Sequence, residues 1–188
     1  LPALRTLGQS QSTYIVAEGP DGIYLIDQHA AHERVLFEHV VSNTASRQPQ
    51  VQGLMEPVTV ELDPSQRDLA ETQAELIKQL GFLVEEFGGQ AHILRGVPSM
   101  LPKGDYGQSF LEILDLMAEG GGFESWKERA AYSIACHGAI RAGKKLNESE
   151  MIELIRLLEL CDQPHACPHG RPTMIHLSTT KLEKEFGR

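Results

Sequence analysis

The sequence has few cysteines, a deficit of basic side chains and no long apolar run, and each shortage excludes a class of protein. Three cysteines in 188 residues are too few, and odd in number, for a disulfide framework. They point to a reducing compartment and leave metal binding or burial as their uses. No Cys-x-x-Cys occurs, which excludes a self-contained zinc finger on spacing. No apolar stretch reaches the roughly 20 residues of a membrane span, and no basic-then-apolar start resembles a signal peptide. Lys and Arg number 17 against 26 Asp and Glu, a net charge of −9. A dedicated DNA binder usually shows a basic face, because phosphate neutralisation supplies most of its affinity. With this balance, a chain acting on DNA needs something else to hold it there. There is no internal repeat and no low-complexity tract. The opening Leu-Pro-Ala-Leu-Arg reads as the start of a fragment.

What is present is enough apolar mass, 41% of residues, for one large domain or two small ones. Residues 12–17 and 23–26 read as a hairpin around the turn 18–22. The spacing of Val35, Leu36, His39 and Val40 predicts a helix from about 29 to 41. Residues 42–50 read as a polar loop, and 58–62 as a strand. Asp63-Pro64-Ser65 is a strong helix start, with Leu69, Leu76, Ile77 and Leu80 as the stripe and Gly81 as the stop. A second hairpin is expected over 82–87 and 91–97, and a short helix over 110–117, broken by Gly120-Gly121-Gly122. Helices are expected over 126–142 and 149–160, capped by Asn147 or Ser149. A strand over 173–177 and a short helix to Arg188 close the chain. The class is α+β, with 63–130 inserted between the flanking parts.

Three segments carry chemistry. Asp27-Gln28-His29-Ala30-Ala31-His32-Glu33 passes from strand to helix. His29 and Glu33, four apart, share a helix face, and Asp27 stands at the entrance. Imidazole suits zinc and manganese, and carboxylates suit harder ions. The plain alternative is surface chemistry, since acidic groups favour a first helical turn. Cys167-Pro168-His169-Gly170-Arg171-Pro172 offers a thiolate and an imidazole two apart on a loop stiffened by prolines, half of a zinc-type site. Cys136, on a helix, reads equally as a ligand or a small buried residue. Cys161 reads as core. Glu38 falls half a turn of the helical wheel from His29 and reads as a partner for a basic side chain.

Together these segments resemble the C-terminal domain of the MutL mismatch-repair proteins. Asp27-Gln28-His29-Ala30-x-x-Glu33-x-x-x-x-Glu38 resembles that family's endonuclease motif. Ala135-Cys136-x-x-Ala139-Ile140-Arg141 and Cys167-Pro168-His169-Gly170-Arg171-Pro172 resemble two further motifs, and Phe186-Gly187-Arg188 resembles the Phe-x-Arg ending. The resemblance implies a homodimer with a dimerisation subdomain (1–62 plus 131–188) and an external, regulatory subdomain (63–130). It implies metal ligation by Asp27, His29, Glu33, Cys136, Cys167 and His169, with the first three catalytic. It implies nicking of one strand of duplex DNA with manganese, and zinc in a regulatory or structural role. His137 departs from the basic residue expected at its place. Gln52-Gly53-Leu54-Met55-Glu56-Pro57 resembles the motif with which family members engage the beta sliding clamp, through Gln52, Met55 and Pro57. A ring already on DNA would answer the acidic charge by raising effective concentration. The resemblance also implies a cytoplasmic, nucleoid-associated protein that meets a mismatch-recognition protein through its full-length chain.

The expected chemistry is phosphodiester hydrolysis assisted by divalent ions. Arg141, Lys144, Lys145, Arg171, Lys181, Lys184 and Arg188 are candidates to meet the DNA backbone, Arg171 and Arg188 foremost because they sit inside motifs. Two other classes compete: a non-catalytic zinc-binding dimerisation module, and a metal hydrolase acting on a small molecule, which would need a deep apolar pocket.

Overall fold

The computed structural model describes residues 1–46, 49–119 and 126–188. It is an α+β chain in two units, the first built from Leu1–Glu38 and Ala139–Arg188, the second from His39–Gly138.

The first unit holds a four-stranded antiparallel sheet in the order β1-β2-β3-β7, from Arg5–Ser10, Tyr14–Gly19, Gly22–Asp27 and Met174–Ser178. Alternation sorts the strands into two faces. In register, Ile15, Ile26 and Met174 form one row, and Ala17, Tyr24 and His176 the next. The first row packs with Leu146, Met151, Leu154, Ile155 and Leu158 in a buried core. Those last four lie on α6 (Glu148–Glu159), which Asn147 starts by accepting from the Glu150 amide at 2.9 Å. The opposite sheet face is apolar from β2 to β7 apart from Glu18, which stands between Arg5 and Ile23. Val16, Leu25 and Ile175 stand in one row, and Ile23 is paired with Leu177. None of these five is fully buried, and Ile175 is 57% exposed. A sheet wetted on one side normally alternates apolar with polar; this one does not.

The second unit holds a three-stranded antiparallel sheet, β4-β6-β5, from Val51–Glu61, Ala91–Pro98 and Leu83–Gly88. Helices α2 (Pro64–Thr72), α3 (Ala74–Gln79), α4 (Tyr106–Glu119) and α5 (Trp126–Gly138) belong to the same unit. Asp63 caps α2 as expected and forms a full capping box with Gln66.

The compact units divide at 38/39 and 138/139, and β4 pairs with β6 and α5 packs on α4 within the second. Several expected element bounds need correction. The helix α1 runs over Gln28–Ser46, past the expected stop at 41. There the polar Thr44 is buried and its hydroxyl donates to the Val40 carbonyl at 2.6 Å. β4 begins at Val51, not 58. The single helix expected from 64 to 80 is split at Gln73. α5 stops at Gly138, not 142. No sequence pattern marks β1. The Gly120-Gly121-Gly122 break lies outside the described residues.

Candidate metal centre

The centre follows from the strand order. β7 runs antiparallel to β3, with Met174 opposite Ile26. The segment that enters β7 therefore arrives where β3 ends and α1 begins. The Asp27 amide donates to the Thr173 carbonyl at 2.9 Å, closing that junction. The loop before β7 folds on itself: Cys167 N–H donates to Arg171 O at 2.8 Å and Gly170 N–H to Cys167 O at 2.9 Å. Gly170 has φ of 78°, which a side chain would resist.

Two residues of α1 hold this loop in place. Arg34, buried, donates from Nε to the Ala166 carbonyl at 2.6 Å. Glu38 accepts from the Asp162 and Gln163 amides at 2.6 and 3.0 Å and pairs with Arg34 at 3.6 Å. The basic partner expected for Glu38 is thus Arg34. The loop-holding role of both residues was not legible, because their partners are backbone groups 124 to 132 positions away.

Glu33 lies at the centre, its side chain 2% exposed. Its Oε1 is 3.2 Å from His29 Nε2, and its Oε2 is 3.3 Å from His169 Nδ1 and 3.1 Å from an Arg171 guanidinium nitrogen. Cys167, fully buried, has its Sγ 3.8 Å from His169 Nδ1. One ligand atom each from Glu33, Cys167 and His169 fall within 4.8 Å of one another. That spread suits three donors around one ion, where metal–ligand bonds are about 2.0–2.3 Å. A carboxylate, a thiolate and an imidazole are zinc-type donors.

The tautomer of His29 fits the same use. Its Nδ1 lies 2.9 Å from the Ile140 carbonyl oxygen, which can only accept, so Nδ1 carries the proton. The other ring nitrogen, Nε2, faces Glu33 Oε1 at 3.2 Å and is the one that could ligate an ion when the ring is neutral. A backbone carbonyl fixing the far nitrogen is the usual support of a metal-binding histidine. His32 takes the opposite role: its Nδ1 accepts from the Ile140 amide at 2.9 Å. Burial, with the nearby charges of Lys144 and His29, pulls its pKa down to about 4, so the ring stays neutral. One residue, Ile140, thereby fastens both histidines.

Asp27 is engaged as the cap of α1. Its Oδ1 accepts from the His29 and Ala30 amides at 2.9 and 3.1 Å. Gln28, fully buried, donates to the Ser12 and Lys144 carbonyls at 2.8 and 3.0 Å. Cys161 packs against the first unit's core, and burial pushes its thiol up to about 12, consistent with the core role expected. Cys136 is exposed on the last turn of α5, in the second unit. Its neighbour His137 faces Glu112, with 3.2 Å between Nε2 and Oε2. Arg188 is exposed beyond the end of α7 (Thr179–Glu185).

Gln52, Met55 and Pro57 lie on β4, where Gln52 pairs with Val97 of β6 and the register shifts between Gly53 and Val58, around Met55 and Pro57. Met55 projects fully into solvent and Pro57 is exposed, while the Gln52 amide donates to the Tyr106 hydroxyl at 3.3 Å. A cavity of about 480 Å³ in the second unit is lined by Ala74, Ile77, Phe82, Val84 and His92 among others. Its lining includes none of the expected metal ligands.

Residues 7–146 match the family described as the MutL C terminal dimerisation domain. The chain is 37% identical over 190 residues to the DNA mismatch repair protein MutL of Shouchella clausii, covering 100% of this chain and 29% of that protein. It is 40% identical over 191 residues to MutL of Pelotomaculum thermopropionicum, covering 100% and 31%. It is 38% identical over 189 residues to MutL of Methanothrix thermoacetophila, covering 100% and 34%. The chain thus spans about a third of the length of these curated relatives.

Proposed function

Because the chain belongs to the MutL family of DNA mismatch-repair proteins, as a C-terminal dimerisation domain, we propose that it is a homodimeric module that nicks one strand of duplex DNA with divalent metal. The observation that carries this is the convergence of Glu33, Cys167 and His169 within 4.8 Å, beside His29 and at the helix entrance marked by Asp27. Ions held there supply an acidified water and positive charge at the scissile phosphate. Glu33, Cys167 and His169 are the zinc-type donors, in a regulatory or structural role. Asp27, His29 and Glu33 are the harder set that suits manganese in the chemistry. His169 and Arg171 are exposed, so the centre has an open edge, as a large substrate requires. The test is the conversion of supercoiled plasmid to open circle: it should depend on manganese and stop on chelation. A protein that dimerises and binds zinc yet leaves the plasmid supercoiled would favour the non-catalytic module.

The homodimer reading rests on the sheet face of Val16, Ile23, Leu25, Ile175 and Leu177, apolar rows that a second copy would cover. Delivery to DNA by the sliding clamp is also part of the proposal. Full exposure of Met55 on a stretch of β4 where the pairing with β6 shifts favours it, because an apolar side chain held out in water gains by docking. Met55→Glu should weaken capture of the chain on immobilised clamp by about tenfold, with melting unchanged. Equal capture would remove the segment from the clamp reading.

A further inference from the structure

Glu33 poses a problem that metal ligation alone leaves open. Its carboxylate is almost wholly buried, and a buried charge needs a counter-charge whenever no metal is bound. His29 and His169 carry charge only when protonated. Arg171 carries it always, and its guanidinium lies 3.1 Å from Glu33 Oε2. That same oxygen is the one nearest His169, at 3.3 Å. The Arg171 side chain is 56% exposed, so it can swing towards solvent without unpacking a core. Its backbone is anchored independently, through the Cys167 amide to the Arg171 carbonyl.

Resting on the metal-centre reading above, we propose that Arg171 is a placeholder cation. Its guanidinium neutralises Glu33 in the metal-free protein, leaves Oε2 when a divalent ion takes that oxygen, and is thereby freed for the DNA phosphates only in the metal-loaded state. A planar guanidinium that suits a carboxylate also suits a phosphate. Two cations cannot share one carboxylate oxygen without mutual repulsion, so metal and Arg171 compete. Arg171 therefore lowers metal affinity, the reverse of what a residue supporting the ligands would do. It also couples metal loading to the readiness of a DNA-contacting side chain.

The test reads zinc affinity by competition with a chromophoric chelator, using the wild-type chain, Arg171→Met and Arg171→Lys. Arg171→Met should bind zinc about tenfold more tightly, because a like charge beside the ligand has been removed. Arg171→Lys keeps the charge and should stay near wild type. Without zinc, Arg171→Met should melt at lower temperature than wild type, since Glu33 has lost its counter-charge, and zinc should raise its melting temperature by more. A readout free of substitution is the rate at which phenylglyoxal modifies Arg171, followed by peptide mass mapping. In the wild-type chain zinc should speed it. Unchanged or weaker zinc binding by Arg171→Met, or modification that zinc leaves unchanged or slows, would overturn the placeholder role. No zinc uptake by the wild-type chain or either variant is a different result, which would overturn the metal centre itself and the proposal with it.

Discussion

Replacing Asp27 with Asn is expected to lower manganese-dependent nicking of supercoiled plasmid by about 10³-fold or more, because a metal-held charge is worth several kcal/mol at the transition state and each ~1.4 kcal/mol is a factor of ten. The substitution separates two roles of one side chain. Asp27 Oδ1 accepts from the His29 and Ala30 amides, and Asn offers the same oxygen, so the start of α1 should survive. What Asn removes is the negative charge. Melting temperature and dimer mass should therefore match wild type while activity is lost. Nicking at the wild-type rate would take Asp27 out of the chemistry. Loss of the fold along with activity would mean that its charge serves the helix rather than the metal.

The second large effect concerns assembly. Ile175→Asp should raise the dissociation constant of the dimer by about 10²-fold or more, as a charge forced into an apolar interface without a partner costs several kcal/mol. Sedimentation of the variant at micromolar concentration should show a monomer where the wild-type chain shows a dimer. The choice of position matters. Ile175 is more than half exposed in the isolated chain, so Asp should disturb the monomer little. The row partner of Ile15 and Ile26, Met174, packs against the core, and a charge there would unfold the unit instead. A dimer of unchanged strength would move the interface away from this face.

Much of this was legible in the residues. The Asp63-Pro64 start, the turn between β2 and β3 and the Glu148–Glu159 helix follow local rules of capping and turn chemistry, which act over three or four residues. The failures have physical causes too. β1 carries a register shift between Thr6 and Gly8 and is half exposed, so it lacks the clean alternation of a strand. Gly53 and Pro57 argue against a strand, and β4 tolerates them because its register shifts there. The polar run after Val41 reads as a loop, but buried Thr44 satisfies its own hydroxyl within the helix.

The candidate site divides in the same way. Glu33, Cys167 and His169 are residue types that announce metal chemistry wherever they fall. That they meet depends on β7 pairing with β3, a contact between strands some 150 positions apart. Arg34, Glu38, His32 and Gln28 arrange the site by bonding to backbone groups. Any segment offers such groups, so no residue pattern marks the partner in advance. Arg171 stood out only as a basic residue for DNA, and its contact with Glu33 could not be read from spacing.

One centre, built from Glu33, Cys167 and His169 with His29 beside them, underlies the proposed chemistry, and the most direct measurement locates an ion there. Crystals of the chain grown with zinc should show an anomalous peak at the zinc edge within about 2.0–2.3 Å of a Glu33 oxygen, Cys167 Sγ and a His169 nitrogen, with the Arg171 guanidinium withdrawn from Glu33. Zinc bound elsewhere, with Glu33 still paired to Arg171, would contradict it.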